Sequence, residues 1–553
     1  MARQTSWFPA TLASRFNHRR LIPVALVFCT WLVFSQVFVA RFVAWDDKDM
    51  LLDNPLLNPP TLANSLTFFQ QPTKKLYTPL AYSLWAAVAA SQQATSKATS
   101  KGSGVFDWPS PLEFHALNLL LHMVAVLMAY LLLRELLNGH RAAAFAGALI
   151  FALHPLQVEP VAWVAGMNNL LCGALGLAAL WQYLLFAKSV DRPRRHYILA
   201  TLLFAAALLS KPTAVVIPLI AAAIEICCLK RKLRRVAIAL SPWFVMAAII
   251  AFVARLSQPA IGLVAPPFST RTLVAADAIG FYVTKIFAPF NLTIDYERRP
   301  QLIADQIWLC WPGVLIILIA SILWLKSRSG TFRASLLIIP AALLPVLGLT
   351  PFDFQNYSTV ADRYMYLPMF GVALLFACIL ERIRRHQLIY WTAVVIILVL
   401  LAARSADQLR YWHDSLSLTT RQLSYDPDSS TGHKIRAEYL AATGHPESAA
   451  PEYRTAIEAL LREGKNSDGA VWVDYGNLLR RNGHPADAAV QYQQAIPRLS
   501  HDQLAPAYNN WGVALIQIGN PTAAREKFLL ALQAQPDYAQ AQQNLARLNA
   551  QPP

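Results

Sequence analysis

The chain has 553 residues, of which 56% are hydrophobic and 14% are charged, and its mean hydropathy is +0.36. This balance excludes a wholly water-soluble enzyme, because the polar residues are too few to cover a solvated surface. The net charge is +16: residues 1–404 carry 35 Lys and Arg against 17 Asp and Glu, whereas residues 405–553 carry 13 against 15. The basic residues of the first part lie in short loops between apolar runs, which indicates membrane topology and argues against nucleic-acid binding.

Apolar runs long enough to cross a bilayer occupy most of the first 404 residues. Nine such runs lie at about 21–43, 114–134, 142–158, 168–187, 236–255, 307–325, 334–350, 364–381 and 387–404. The stretch 197–229 is too long for one span and is interrupted at Ser210-Lys211-Pro212, so it predicts two short spans that meet in a turn. We therefore expect a polytopic all-α bundle of about eleven spans.

Short basic clusters between the runs set the predicted orientation. They lie around Arg19, Arg134, Arg194, Lys232, Lys326 and Arg384. With eleven spans and a cytoplasmic N-terminus, every cluster faces the cytoplasm, as the positive-inside rule requires. The apolar segment 271–290 would break this pattern if it crossed the membrane, so we predict an interfacial or re-entrant helix there, on the outer face. The loop 44–113 and everything after residue 404 then lie outside the cytoplasm.

Residues 405–553 contain an internal repeat that begins at three turns, Gly444-His445-Pro446, Gly483-His484-Pro485 and Gly519-Asn520-Pro521. Each turn is followed at fixed offsets by a small, an aromatic and a small residue, in the sets Ala449, Tyr453, Ala456; Ala488, Tyr492, Ala495; and Ala524, Phe528, Ala531. This is the tetratricopeptide pattern, in which small residues stand where paired helices touch. It predicts a soluble α-solenoid of about three repeats with a capping helix, whose concave face suits an acceptor or partner protein.

Two adjacent acids follow the first span, in Trp45-Asp46-Asp47-Lys48-Asp49. Such a cluster is unusual in a membrane domain with so few acids. Asp46 and Asp47 can share a divalent cation such as Mg²⁺ or Mn²⁺, or one of them can act as a general base. The alternative is a solvated loop whose aspartates cap a helix.

Further ionisable residues lie in the other outward turns. His154 and Glu159 stand five residues apart at membrane depth, where burying an ionisable side chain is costly and therefore points to function. The alternative is a proline-kinked helix end whose histidine caps carbonyl groups. Lys211 and Arg363 are cations at the same depth that can hold a phosphate, unless Asp362 simply pairs with Arg363.

Three polar residues, His115, Asn118 and His122, share one face of the second predicted span. Polar groups in lipid seek partners, so we interpret them as contacts between helices and not as a metal site. This face should therefore turn into the bundle.

The acids and cations come from loops that are far apart in sequence but lie on one predicted side of the membrane. There they would meet at the boundary where a lipid-linked donor presents its phosphate. A carboxylate pair, with or without a metal, and phosphate-binding cations suit displacement of a lipid phosphate from a sugar carbon.

Several motifs follow one another along nearly the whole chain. They are Asp46-Asp47, Asn54-Pro55, Tyr77-Thr78-Pro79-Leu80, His115 to His122, FALHPLQVEPVAWVAG at 151–166, LLSKP at 208–212 and ADRYMYLP at 361–368, followed by the repeats. In this order they resemble bacterial relatives of the transmembrane-and-tetratricopeptide-repeat O-mannosyltransferases. The resemblance implies a GT-C membrane glycosyltransferase fold, a polyprenyl-phosphate sugar donor and an acceptor outside the cytoplasm. It also implies a multi-pass location in a bacterial inner membrane.

The resemblance assigns roles residue by residue. Asp46 and Asp47 match the first-loop acidic motif, His154 and Glu159 the second-loop motif, and Arg363 the late motif. The implied catalytic residues are Asp46, Asp47 and Glu159, and the implied substrate-binding residues are His154, Lys211, Asp362, Arg363 and Tyr364.

This chain departs from the family pattern at one place. The bacterial relatives commonly have Arg or Lys followed by Asp where this chain has Asn168-Asn169. The change could alter phosphate binding, the choice of donor or activity itself.

The sequence is compatible with two functions of different classes, an enzyme and a scaffold. The first is a membrane glycosyltransferase that moves a sugar from a polyprenyl phosphate to a hydroxyl of an extracytoplasmic, protein acceptor. The alternative is a catalytically inactive membrane scaffold whose repeats recruit envelope proteins, which the Asn168-Asn169 departure favours. A transporter fits less well, because ionisable groups clustered at the bilayer midplane and repeated half-structures are not apparent.

Overall fold

A computed structural model of the chain describes residues 18–73, 76–99, 110–189, 191, 193–258, 266–383, 386–462 and 469–550. Within these ranges the chain is helical and forms no β-strand. Arg384, the centre of one predicted basic cluster, lies outside them. The described residues divide into two compact units: the first ends at His413, and the second contains the residues from Asp414 onward together with Val43–Trp45. The domain boundary predicted after residue 404 falls inside the last long helix of the first unit, Gln387–Leu409.

The first unit contains sixteen α-helices within the described ranges. They are α1 His18–Phe34, α2 Leu62–Gln70, α3 Pro79–Thr99, α4 Pro111–Leu136, α5 Arg141–Leu153, α6 Val158–Ala162, α7 Met167–Lys188, α8 Arg194–Ser210, α9 Ile217–Cys227, α10 Leu233–Ser257, α11 Phe268–Phe287, α12 Pro300–Asp305, α13 Trp311–Lys326, α14 Gly330–Leu343, α15 Pro368–Arg382 and α16 Gln387–Leu409. The predicted outer loop 44–113 therefore includes two helices, α2 and α3.

Many of these helices are apolar and long enough to cross a membrane. In the described part of the chain, six single segments qualify by length and composition: Leu21–Val39, Pro111–Leu136, Val164–Lys188, Leu233–Ser257, Ile307–Lys326 and Gln387–Trp412. A seventh is a broken segment, Arg141–Leu153 with Pro155–Ala162, bent by 54°, and two shorter apolar helices are Pro212–Cys227 and Gly330–Val346. The chain is thus a multi-pass membrane protein, and α11 is not among its span-like helices.

Prolines place the helix breaks. Pro155 begins a 3₁₀ turn directly after α5 and His154, and Pro212 begins another directly after α8 and Lys211. Proline is accepted in a first turn, where its missing N–H is not needed, but it cannot continue the preceding helix. The turn predicted at 210–212 is confirmed, and His154 and Lys211 both lie at helix ends.

The polar face of α4 turns inward as predicted, since His115, Asn118 and His122 are all fully buried. The Nδ2 atom of Asn118 donates to the carbonyl oxygen of Trp163 at 2.8 Å. One ring nitrogen of His122 lies 3.0 Å from the hydroxyl of Tyr366, and the other lies 3.1 Å from the carbonyl oxygen of Ala152. These bonds hold α4 against α5 and against the turn that precedes α7.

The helices α11 and α13 cross at two glycines. A Cβ atom on Gly313 would lie 1.7 Å from the carbonyl oxygen of Ala276, and one on Gly280 would lie 2.8 Å from the backbone nitrogen of Gly313. The two backbones are therefore in direct contact, as small residues allow at membrane helix crossings.

The second unit consists of α17 Ser415–Tyr425, α18 Ser430–Ala442, α19 Pro446–Arg462, α20 Ala470–Arg481, α21 Pro485–Ala495, α22 His501–Gln517, α23 Pro521–Ala534 and α24 Ala539–Ala550, and consecutive helices pack on each other. Its pairs are joined by turns in which Gly444, Gly483 and Gly519 have φ of 81°, 82° and 76°. Residues with side chains are strained in this conformation, so glycine is needed there. The small and aromatic residues of the sequence repeat form the cores between the helices, and Ala449, Ala488 and Ala524 are fully buried.

We expect Gly313→Ala to destabilise the first unit by about 1–3 kcal/mol, because the new methyl group overlaps the Ala276 backbone and must push α11 and α13 apart. The measurement is the thermal unfolding midpoint of the purified chain in detergent. Ser321→Ala, at an exposed position of the same helix, is the control. Equal midpoints for the two variants would contradict this packing.

Candidate active site

The centre of the candidate site is a buried ion pair between Glu159 of α6 and Arg363. Oε1 of Glu159 accepts a hydrogen bond from Nη1 of Arg363 at 2.5 Å, and Oε2 accepts one from the backbone nitrogen of Arg363 at 2.9 Å. Only 2% of the Glu159 side chain and 8% of the Arg363 side chain are exposed. Burial acts to lower the pKa of Arg363, but the neighbouring Glu159 carboxylate outweighs it, so the pKa is raised. The pair joins the broken span to the loop before α15.

Three aromatic rings surround the guanidinium of Arg363. Its central carbon lies 4.2 Å from the ring centre of Phe354, 5.2 Å from that of Tyr364 and 5.4 Å from that of Trp163. A cation over aromatic faces is attracted by the ring electrons, and the rings also exclude water. The charge of Arg363 is therefore held in one place beside Tyr364.

Asp362 does not form the pair with Arg363 that the sequence left open; its hydrogen-bond partner is Tyr296. Its Oδ1 atom accepts a hydrogen bond from the hydroxyl of Tyr296 at 2.7 Å. Burial, and after it the negative charge of Glu159, raises the pKa of Asp362 to about 8. The shift favours the uncharged form of this carboxyl group, and Glu159 is the acid that pairs with Arg363.

Lys211, at the end of α8, makes its hydrogen bond to a neutral group. Its Nζ atom donates to Oδ1 of Asn169 near the start of α7, while Nδ2 of Asn169 donates to the carbonyl oxygen of Gly166 at 3.2 Å and to Oδ1 of Asn168 at 2.8 Å. Among the described residues, no carboxylate lies within ion-pair distance of this ammonium group. Burial, and after it the charge of Arg363, lowers the pKa of Lys211 to about 7.

The acidic motif after the first span reaches the same end of the bundle. Asp47 is fully buried, and its Oδ1 atom accepts a hydrogen bond from the backbone nitrogen of Ala165 at 2.9 Å. Asp46 is half-buried, and its charge adds to that of Glu159 in raising the pKa of Arg363. The segment after the first span is thus attached to the turn Val164–Gly166, which precedes Asn169, the hydrogen-bond partner of Lys211.

His154 is engaged by backbone groups. Its Nδ1 atom accepts a hydrogen bond from the backbone nitrogen of Leu156 at 3.2 Å, so Nε2 carries the proton and donates to the carbonyl oxygen of Ile286 at 3.0 Å. These contacts cap the turn Pro155–Gln157 and attach it to α11, as in the alternative that the sequence left open. A substrate-binding role for His154 stays a prediction, which these contacts do not favour.

The residues of this site do not by themselves suit a resident metal ion. In the described parts of the chain, no three or more His, Cys, Asp or Glu side chains come together as possible ligands. Asp46 and Asp47 offer two carboxylates, and one oxygen of Asp47 already accepts a backbone hydrogen bond. Their predicted metal role stays a prediction, and no step below depends on it.

Some residues of the site were not found from the sequence. Tyr296 stands in a polar loop, and nothing in the sequence links it to Asp362, 66 residues away. In the sequence Asn169 stands out only as a departure from a family pattern, whereas in the structure its side chain, near the start of α7, accepts the hydrogen bond of Lys211. Trp163 lies inside the motif at 151–166, four residues after Glu159. A tryptophan at this distance from an acid in an apolar segment could have indicated an aromatic contact of the site.

Comparisons with known proteins agree with this description. Residues 113–258 match the family model described as dolichyl-phosphate-mannose-protein mannosyltransferase. A protein O-mannosyl-transferase of Caenorhabditis elegans is 25% identical over 361 residues, which are 63% of this chain and 51% of that protein. A human protein O-mannosyl-transferase is 23% identical over 409 residues, covering 64% of this chain and 46% of that protein.

The solved structures to which the chain is similar include the crystal structure of ArnT from Cupriavidus metallidurans bound to undecaprenyl phosphate. It is 12% identical, with a TM-score of 0.34, and the match covers 92% of this chain and 80% of that one. A likeness at this level supports no argument about the site.

The chain is thus a multi-pass membrane protein that is similar, over part of its length, to mannosyltransferases. More particularly, the chain is a relative of the protein O-mannosyltransferases, as the motifs predicted. It spans about half the length of the curated relatives it matches.

We expect Glu159→Gln to destabilise the chain by about 3 kcal/mol, because Arg363 would stay buried without its counter-charge. The measurement is the thermal unfolding midpoint in detergent. Glu135→Gln is the matched control, since Glu135 pairs with Lys188 at a partly exposed site where an ion pair contributes less. A midpoint for Glu159→Gln no lower than that for Glu135→Gln would contradict a central role for the buried pair.

Proposed function

We propose that the chain is a membrane glycosyltransferase that moves a sugar from a polyprenyl-phosphate donor to a hydroxyl of an extracytoplasmic protein acceptor. The observation that carries the proposal is the placement of Lys211 and Arg363 at one end of the bundle, beside the acidic first loop. Lys211 is bonded to an amide, so its charge remains available to an anionic phosphate. Because the similar proteins are named O-mannosyl-transferases, mannose is the first sugar to test.

The reaction is a displacement at the anomeric carbon of the sugar. The acceptor hydroxyl oxygen attacks this carbon, the bond from the carbon to the phosphate oxygen breaks, and the polyprenyl phosphate leaves with the electron pair. Lys211 and Arg363 stabilise the charge that grows on the leaving phosphate. The hydroxyl proton passes to a carboxylate acting as general base.

Asp46 is the better candidate for this base. It is half-buried and therefore reachable, whereas Asp47 is fully buried and accepts a hydrogen bond from Ala165. We assign Asp47 to positioning the loop and Glu159 to positioning Arg363. Tyr364 would contact the donor, because its ring lies beside Arg363 and 6.0 Å from Nζ of Lys211.

The topology and the second unit complete the proposal. Eleven spans with a cytoplasmic N-terminus would put both the site and the second unit on the periplasmic side of an inner membrane. The second unit would be a tetratricopeptide solenoid, which is supported by its buried alanines and positive-φ glycines at the repeat positions. It would hold the acceptor or a partner protein and supply no catalytic group.

The test is transfer of labelled mannose from polyprenyl-phosphate mannose to envelope proteins of cells that lack the chain, using the purified full chain. Asp46→Asn should lower kcat by about 10²–10⁴-fold through loss of the base, and Asp47→Asn should act less strongly. Asp49→Asn is the control, since Asp49 is exposed in the same short segment. Full activity of Asp46→Asn would exclude Asp46 as the general base. If the unaltered chain transfers no sugar, and if deleting it leaves the glycan profile of envelope proteins unchanged, the catalytically inactive scaffold is favoured instead.

The pH dependence of the transfer rate should follow the titration of the Lys211 side chain. With a pKa of about 7, this group is charged below neutral pH and uncharged above it, so kcat/KM for the donor should fall as the pH rises through about 7. Lys211→Arg keeps its charge and should remove this fall. Asn169→Asp should raise the pKa of Lys211 by giving it a carboxylate partner, and so move the fall to higher pH. An unchanged pH profile in both variants would exclude Lys211 as the titrating group.

A further inference from the structure

A cavity of about 670 Å³ lies between α7, α8 and α10, away from the candidate active site. Its lining residues are Phe186, Arg194, Tyr197, Ile198, Lys232, Arg234, Arg235, Ile238 and Ala239. The cavity thus joins an apolar floor, supplied by the phenylalanine, isoleucine and alanine side chains, to a rim of cations. It contains no acidic residue among its lining.

The cations of this rim are not neutralised by the protein. Arg194, Lys232, Arg234 and Arg235 are exposed, and no described carboxylate lies within ion-pair distance of any of them. Two nearby cations are compensated, because Lys188 pairs with Glu135 at 3.2 Å and Arg231 pairs with Glu225 at 3.4 Å. The four rim cations therefore present uncompensated charge directly at the cavity.

The walls of the cavity are fixed by bonds between the helices. The hydroxyl of Tyr197 donates to the carbonyl oxygen of Ala239 at 2.8 Å, which ties α8 to α10. Further along the same helices, Nε1 of Trp243 donates to Oγ1 of Thr201 at 2.9 Å. The ring of Tyr197 also lies 5.1 Å from that of Phe186 on α7. The cavity is thus a formed feature of the bundle.

The cavity and the candidate active site lie at opposite ends of the same helices. Asn169 stands near the start of α7 and Phe186 near its end, and this helix of 22 residues is roughly 33 Å long. Likewise Arg194 begins α8 and Lys211 follows its end. A ligand in the cavity would therefore occupy the membrane face opposite the transfer site.

We propose that this cavity binds an anionic phospholipid, with the headgroup phosphate held by Arg194, Lys232, Arg234 and Arg235. Basic pockets between membrane helices attract anionic headgroups in this way. The acyl chains would lie on the apolar floor and along the outer face of α10, where Leu233 and Ile238 are 70% and 65% exposed. This site is separate from the proposed donor site and uses none of its residues.

The test is native mass spectrometry of the delipidated full chain titrated with phosphatidylglycerol or with phosphatidylcholine of the same acyl chains. We expect phosphatidylglycerol to bind more tightly. Arg194→Gln with Arg235→Gln should weaken its binding by about fivefold for each charge removed, roughly 25-fold in all. Lys326→Gln with Arg328→Gln is the matched control, because both cations are exposed at another loop between apolar helices, and it should retain binding.

Three results would overturn the proposal: equal binding of the two lipids, an equal loss in the control variant, or displacement of phosphatidylglycerol by equimolar glycerol phosphate, which has no acyl chain. If the glutamine variant unfolds, Arg194→Lys with Arg235→Lys is the second test. It keeps both charges and should keep the preference for phosphatidylglycerol, and loss of that preference in a folded protein would also contradict the proposal. None of these results depends on sugar transfer.

Discussion

The structure around the site depends on keeping one ion pair, Glu159 with Arg363, away from water. A single buried charge costs several kcal/mol, so each partner needs the other and needs hydrogen bonds of good geometry. Glu159 meets this need by using one oxygen for the guanidinium and the other for the backbone nitrogen of Arg363. The two loops that carry these residues are thereby held together. Burial is the main cause that raises the pKa of Asp362 and lowers the pKa of Lys211, and the charge of Glu159 adds to it at Asp362 and that of Arg363 at Lys211.

The ion pair forms where the apolar helices are broken. Irregular backbone is tolerated in a bilayer only where protein buries it or where it lines a cavity. Pro155 and Pro212 end the preceding helices, and the freed groups find partners within the bundle, such as the imidazole of His154 for the backbone nitrogen of Leu156. The same breaks that interrupt the spans therefore bring the polar side chains together.

The neutral residue Asn169 changes the electrostatics of this arrangement. An aspartate at that position would pair with Lys211 and neutralise it, whereas the amide holds the ammonium group in place through a hydrogen bond and leaves its charge uncancelled. Although this position departs from the bacterial family pattern, Lys211 still has a hydrogen-bond partner there. It alters the charge that the site presents, and under the proposed function Asn169 would set how strongly Lys211 attracts a phosphate.

The sequence by itself determined the features that depend on local pattern. Apolar run length gave the membrane-capable helices, Pro212 marked the break after Lys211, and the spacing of His115, Asn118 and His122 identified the inward face of α4. These properties follow from the helical period and from the backbone of proline, which neighbours in sequence decide. The motifs also identified the relatives that the comparisons found.

Only the tertiary structure decided which polar groups are partners. Arg363 had a candidate acid beside it in Asp362, yet it pairs with Glu159, 204 residues away, while Asp362 accepts from Tyr296. Lys211 likewise meets Asn169, and none of the described acids lies within ion-pair distance of it. Pairing of buried charges depends on distance, burial and the orientation of each group across helices, and one residue of separation along the chain does not bring two side chains face to face. That is why the sequence named most members of the site and the fold alone assigned their contacts.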